Sequence, residues 1–132
     1  MNNEKNYDLL IKNVQIVRPN ADIVASADIG IKNGVFKRIT PNIKVTEAVE
    51  IYDGKNRLAF PGLVDAHMHT GIYNPLEQDA VIESRAAAMG GVTSSLNYIR
   101  TGGYYLNKWG PYQAFMPDVL AQSEGNFYVD YA

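Results

Sequence analysis

Cysteine is absent from these 132 residues and histidine occurs only twice. Without thiols there are no disulfides and no thiolate metal sites, and a reducing compartment is the natural setting. Charge is sparse too. Charged residues make up 20% of the chain and the formal net charge is −2, so the chain has no basic footprint for nucleic acid or an anionic membrane surface. Long hydrophobic runs are also missing. The opening "MNNEKNYDLLIKN" offers only Leu9–Ile11, far short of the roughly 7–15 apolar residues of a signal peptide. Nothing approaches the ~20 apolar residues that span a bilayer. These absences predict a cytoplasmic protein with neither nucleic acid nor membrane as partner. What is present, 46% apolar residues, suffices for a hydrophobic core.

Residues 1–60 read as short strands and tight turns. "DLLIKNVQIV" is rich in Ile, Leu and Val. Asn33-Gly34, between "DIGIK" and "VFKRI", is a hairpin signal because both residues tolerate positive φ. Asp53-Gly54 repeats the pattern between "EIY" and "RLAF". The spacing predicts a small antiparallel sheet or half of a β-sandwich.

The texture changes over residues 61–132. "GLVDAH" is nearly continuous in apolar residues, as for a parallel strand covered on both faces. "NPLEQDAVIESRAAAMGG" predicts a helix with Asn74 as N-cap and Pro75 in its first turn. Glu77 and Asp79 sit near the positive end of its dipole, and Gly90-Gly91 form its stop. Its small residues Ala80, Ser84 and Ala87, with Val81 and Met89, offer a face to pack on a sheet. "VTSSLNYI" predicts a second strand, "PYQAFMPDVLAQSEG" a helix bent or restarted at Pro117, and "NFYVDYA" a third strand. The order β-α-β-α-β predicts an α/β fold with parallel strands and helical crossovers. Three strands cannot close a barrel, so the chain reads as the front part of something longer.

Both histidines fall in "PGLVDAHMHTG". On a strand, Asp65, His67 and His69 share one face, and two such imidazoles lie about 6–7 Å apart at Cα. They project near the carboxyl end of the strand, where parallel α/β folds bind ligands. Histidine is the commonest transition-metal ligand, so His67 and His69 are candidate ligands of one cation. A bare His-x-His also arises from packing or simple exposure. Asp65 either orients a ligand from behind or closes an internal hydrogen bond.

"PGLVDAHMHTG", preceded by "DLLIKN", "ADIGIKNGVFKRI" and "EIYDGKN" and followed by "RAAAMGGVTSSLNYI" and "AQSEGNFYVDYA", resembles the opening of the amidohydrolase superfamily. The likeness is to its dihydropyrimidinase, hydantoinase, allantoinase and dihydroorotase branch. The resemblance implies the start of a (β/α)8 TIM barrel (residues 61–132), preceded by strands of a small composite β-sandwich (residues 1–60). It implies a metal-dependent hydrolase of cyclic amides or ureides. Its two divalent ions, often zinc, are bridged by a carbamylated lysine and a hydroxide that attacks the ring carbonyl. His67 and His69 match the first ligand pair. The remaining ligands and the catalytic aspartate are expected beyond residue 132, so the segment by itself is predicted inactive. Relatives are commonly dimers or tetramers, which implies a homo-oligomer. "HTG" lacks the arginine that dihydroorotases place after the second histidine, and "NYIRT" stands where they carry a Met-Pro-Asn-Thr-like stretch. A hydantoinase- or dihydropyrimidinase-like ring is therefore preferred. The loops after the first two barrel strands make Ile72, Tyr73, Tyr104, Tyr105 and Trp109 candidate pocket walls, or else oligomer contacts. Some relatives keep the fold as non-catalytic assembly scaffolds, which is the rival reading.

Overall fold

The computed structural model describes residues 5–99 and 110–132. The chain divides into two compact units, the first ending at Pro61 and the second beginning at Gly62.

The first unit is one sheet built on a long central strand, β1 (Tyr7–Ile16). It continues through β2 (Ala25–Lys32), β3 (Val35–Thr40), a single 3-10 turn (Val45–Glu47), β4 (Ala48–Asp53) and β5 (Leu58–Ala59). The order is β3-β2-β1-β4, with β5 also paired to β1. β2 and β3 form the expected hairpin, and Asn33 and Gly34 take φ of 52° and 71°. The second half departs from the expected antiparallel sheet. β4 and β5 both run parallel to β1, so Asp53-Gly54 joins two segments on one side of β1 and is not a hairpin turn.

A bulge explains the departure. Between Ile11 and Val14, β1 uses three steps where β2 uses two, and Asn13 sits at φ 55°. The irregular stretch of β1 is bonded by the linker between β4 and β5. The Gly54 N–H donates to the Lys12 carbonyl at 2.7 Å, and the Asn56 N–H to that of Asn13 at 2.7 Å. A Cβ at Gly54 would overlap Val14, which accounts for the glycine. Leu10, Val14, Ile16, Ala27 and Ile29 are buried within this unit. Asp28 is buried beside the bulge. It accepts hydrogen bonds from Lys12 Nζ (2.8 Å), Asn13 N–H (3.0 Å) and Ile43 N–H (2.8 Å).

The second unit follows the β-α-β-α-β order: β6 (Leu63–Met68), α1 (Leu76–Met89), β7 (Val92–Asn97), α2 (Tyr112–Ser123) and β8 (Asp130–Tyr131). Its sheet, ordered β6-β7-β8, is parallel throughout. Leu76 of α1 meets Phe115 and Val119 of α2 in a small core. Ala80 and Ser84 are fully buried on α1, and the Ser84 hydroxyl accepts from the Tyr128 N–H just before β8.

Several local expectations are corrected. The residue at the α1 N-cap is Pro75, without a side-chain cap, because the Asn74 amide is engaged by Asp79. Met89, the last residue of α1, is exposed rather than packed. α2 runs through Pro117 as one helix and does not restart there; the proline lacks the N–H that would meet the Gln113 carbonyl. The third strand is reduced to Asp130–Tyr131, where β7 offers it a partner. Within this chain Leu63 and Val64 of β6 are 58% and 66% exposed. Among the described residues no helix is long and apolar enough to cross a membrane.

Gly62 introduces β6 by close approach. β7 carries an extra residue, Thr93, between the pairs Leu63–Val92 and Val64–Ser94, and a Cβ on Gly62 would overlap the Thr93 side chain. Gly62→Ala is therefore expected to cost about 1–3 kcal/mol through overpacking. Urea unfolding of the variant checks this, and Thr93→Ser is expected to relieve part of the loss.

Candidate metal centre

β6 reaches the histidines through a second bulge. Asp65 pairs with Ser95 and Met68 with Asn97, so Ala66 and His67 together face the single residue Leu96. Such a bulge frees backbone groups and re-aims side chains. The freed His67 N–H is taken up locally, donating to Asp65 Oδ1 at 3.1 Å. Asp65 therefore holds the backbone of the first histidine.

The two rings meet. His67 Nε2 and His69 Nε2 are 3.0 Å apart, with ring centroids at 4.8 Å and planes inclined by 70°. His69 lies one residue past the end of β6 and is half-buried, while His67 is exposed. Two nitrogens bonded to one tetrahedral zinc ion at about 2.0–2.1 Å lie roughly 3.3–3.4 Å apart, so at 3.0 Å the two rings stand at hydrogen-bond distance and a shared cation needs them to part by only a few tenths of an ångström. His69 Nδ1 is buried with no hydrogen-bond partner among the described residues. A buried polar nitrogen left unpaired is costly. Among the described residues no third His, Cys, Asp or Glu joins the pair. The donor set fits one side of a metal centre.

Tyr98 is the residue that sequence reasoning missed. Its ring stacks on His67 (centroids 5.2 Å, planes 16° apart) and meets His69 edge-on at 5.6 Å. Its N–H donates to the Met68 carbonyl at 2.7 Å, which sets it at the carboxyl end of β7 beside the pair. That position was the available signal, because residues ending adjacent parallel strands converge on one rim.

The loop after His69 is fastened twice. The Thr70 hydroxyl, buried, donates to Asn97 Oδ1 at 3.0 Å, and the Gly71 N–H donates to Asp79 Oδ2 at 2.9 Å. Tyr73 is 92% exposed. Arg100, Tyr104, Tyr105 and Trp109 lie outside the described residues. A cavity of about 190 Å³ is bounded by Thr70, Asn97, Ile99, Val119, Phe127 and Tyr131; it touches neither histidine.

No protein-family model matches the chain. Over 62 residues it is 47% identical to an adenine deaminase of Desulforamulus reducens, spanning 47% of this chain and 10% of that protein. It is 36% identical over 89 residues to a dihydroorotase of Aquifex aeolicus, spanning 65% of this chain and 20% of the relative. Against a dihydropyrimidinase of Dictyostelium discoideum it is 31% identical over 94 residues, spanning 69% and 18%. Its backbone superposes on the L-hydantoinase of Arthrobacter aurescens with a TM-score of 0.72 at 26% identity, covering 96% of this chain and 27% of that one.

With its parallel β/α units and a histidine pair at the strand end, the chain belongs to the amidohydrolase superfamily. Within it, its relatives include dihydropyrimidinase, dihydroorotase and hydantoinase, the cyclic-amide hydrolases. The chain spans only about a tenth to a fifth of the length of these curated relatives. The dihydroorotase match is no weaker than the dihydropyrimidinase match, so overall likeness does not rank the rings.

Proposed function

We propose that this chain is the N-terminal part of a metal-dependent hydrolase that opens cyclic amides or ureides, hydantoinase- or dihydropyrimidinase-like in its ring. The observation that carries the reading is the pair of Nε2 atoms 3.0 Å apart at the carboxyl end of a parallel strand. His67 and His69 would hold a divalent transition-metal ion, zinc by the family resemblance, one of two in the complete centre. When bound, such an ion brings the pKa of water toward neutrality and polarises a carbonyl.

The chain's own residues prepare that site. Asp65 fixes the His67 backbone, Tyr98 restrains the His67 ring, and Thr70 and Gly71 hold the segment leaving His69. Tyr73 and Tyr104 remain proposed pocket walls. Residues 1–60 are proposed to supply strands of a composite β-sandwich and residues 61–132 the first units of a barrel. The remaining ligands and the catalytic aspartate lie outside this chain, so the segment by itself does not turn over substrate. The presence of both histidines supports an enzyme over a non-catalytic scaffold. A cytoplasmic homo-oligomer completes the reading.

Metal analysis of the full-length protein, paired with assays on hydantoins, dihydropyrimidines, dihydroorotate and adenine, tests the proposal. Stoichiometric divalent metal and ring opening of a hydantoin or dihydropyrimidine are expected. Ammonia release from adenine, the reaction named for one relative, or a protein purified without metal and indifferent to added zinc, would overturn it.

A further inference from the structure

An acidic residue in the first turn of a helix ordinarily faces solvent and complements the dipole. Asp79 does not face solvent: it is 7% exposed. Both its oxygens are committed, Oδ2 to the Gly71 N–H at 2.9 Å and Oδ1 to the Asn74 side-chain amide at 3.1 Å. Gly71 itself stands at φ 71°, in the left-handed region, so the chain turns sharply two residues after His69. On the other side of the turn Thr70 donates to Asn97, whose amide donates in turn to Ser95 Oγ at 3.3 Å. The segment leaving His69 is thus gripped at consecutive residues, by β7 through Asn97 and by α1 through Asp79. Asp79 is the charged member of that grip, and its two bonds are of the stronger, charge-assisted kind.

We infer that Asp79 is a positioning residue for the metal centre: it fixes the backbone beyond His69 and so the direction from which that imidazole faces His67. The inference rests on the metal-centre reading of the histidine pair. Asparagine is the informative replacement. It is nearly isosteric, but it offers one acceptor oxygen to two donors and turns its own N–H2 group against one of them.

The test loads the full-length protein with Co(II), follows its visible absorption, and measures affinity by competition with a chromophoric chelator. His69→Ala serves as the control for the underlying reading. Asp79→Asn is expected to weaken cobalt binding about 10–100-fold and to alter the cobalt spectrum, as for partners that orient metal ligands. Asp79→Glu, which keeps both acceptors, is expected to recover most of the affinity. If His69→Ala loses cobalt while Asp79→Asn keeps wild-type affinity and spectrum, the positioning role is overturned and the metal reading stands. If His69→Ala binds cobalt as the wild type does, the metal reading falls and this inference with it. Should Asp79→Asn not fold, Asn74→Ala decides. A severalfold loss with a shifted spectrum supports the role, and unchanged binding overturns it.

Discussion

Replacing His67 with alanine in the full-length protein is expected to lower divalent-metal affinity by more than about 100-fold, beyond the range for residues that only orient a ligand. Turnover should vanish with it. The expectation follows from the pair's geometry: with one Nε2 gone, a single imidazole remains from this strand, and His69 loses the nitrogen that faces it at 3.0 Å. His69→Ala should do the same. The useful contrast is with stability. His67 is exposed, and exposed substitutions away from special features usually stay within about 0.5 kcal/mol. The metal-free variant should therefore unfold at nearly the wild-type urea concentration while failing to retain zinc on dialysis. Full zinc occupancy in His67→Ala would end the metal reading. A large loss of metal-free stability would recast the pair as packing.

The second large effect is expected far from the chemistry in sequence, at Asp28→Ala. Asp28 is 2% exposed and takes three hydrogen bonds, from the Lys12 ammonium and from the N–H groups of Asn13 and Ile43. Removing it strands two backbone donors and leaves a largely buried ammonium with the Ile43 carbonyl at 2.9 Å and Asn42 at 3.3 Å. Breaking one side of such a pair costs about 3–5 kcal/mol. Urea denaturation of the first unit's transition measures it, and Lys12→Met in the same background should return part of the loss. A cost under about 1 kcal/mol would mean that the network does not secure the β1 bulge.

The same carboxylate sets an acid limit. Burial by itself would raise the Asp28 pKa, but the bonds from Lys12, Asn13 and Ile43 outweigh it and hold the group below the ordinary aspartate value. A depressed folded-state pKa contributes stability that is complete above the unfolded value of about 3.9 and is lost as pH falls through the folded one. The wild type should therefore lose stability in strong acid. Asp28→Ala, already without the contribution, should show a flatter acid limb.

Much of the second unit was legible in advance because its signals are local. Proline, glycine and acidic residues bracket α1, a short apolar run marks β6, and the alternation of strand and helix segments implies parallel strands. The histidine pair was legible from its spacing, although the two rings meet across a bulge in β6 and the residue past its end rather than by regular alternation along a strand. The first unit misled where the outcome was not local. Asp53-Gly54 carries the chemistry of a hairpin turn, yet β4 and β5 lie parallel along β1 because the bulge at Asn13 offers its carbonyls to that linker. Tyr98 and Asp79 were passed over because a tyrosine after a strand and an acid at a helix start each have an ordinary explanation.

The sequence by itself determined the order of elements, the α/β character of residues 61–132 and the candidate ligands His67 and His69, all of which depend on spacing along the chain. Only the tertiary structure decided that Asp65 serves the His67 backbone, that Tyr98 stacks on that ring, and that Asp79 grips the loop behind His69. Each is a meeting of groups brought together by strand register, a bulge or helix packing. Such meetings depend on where the backbone turns in space, which nearest-neighbour preferences do not encode.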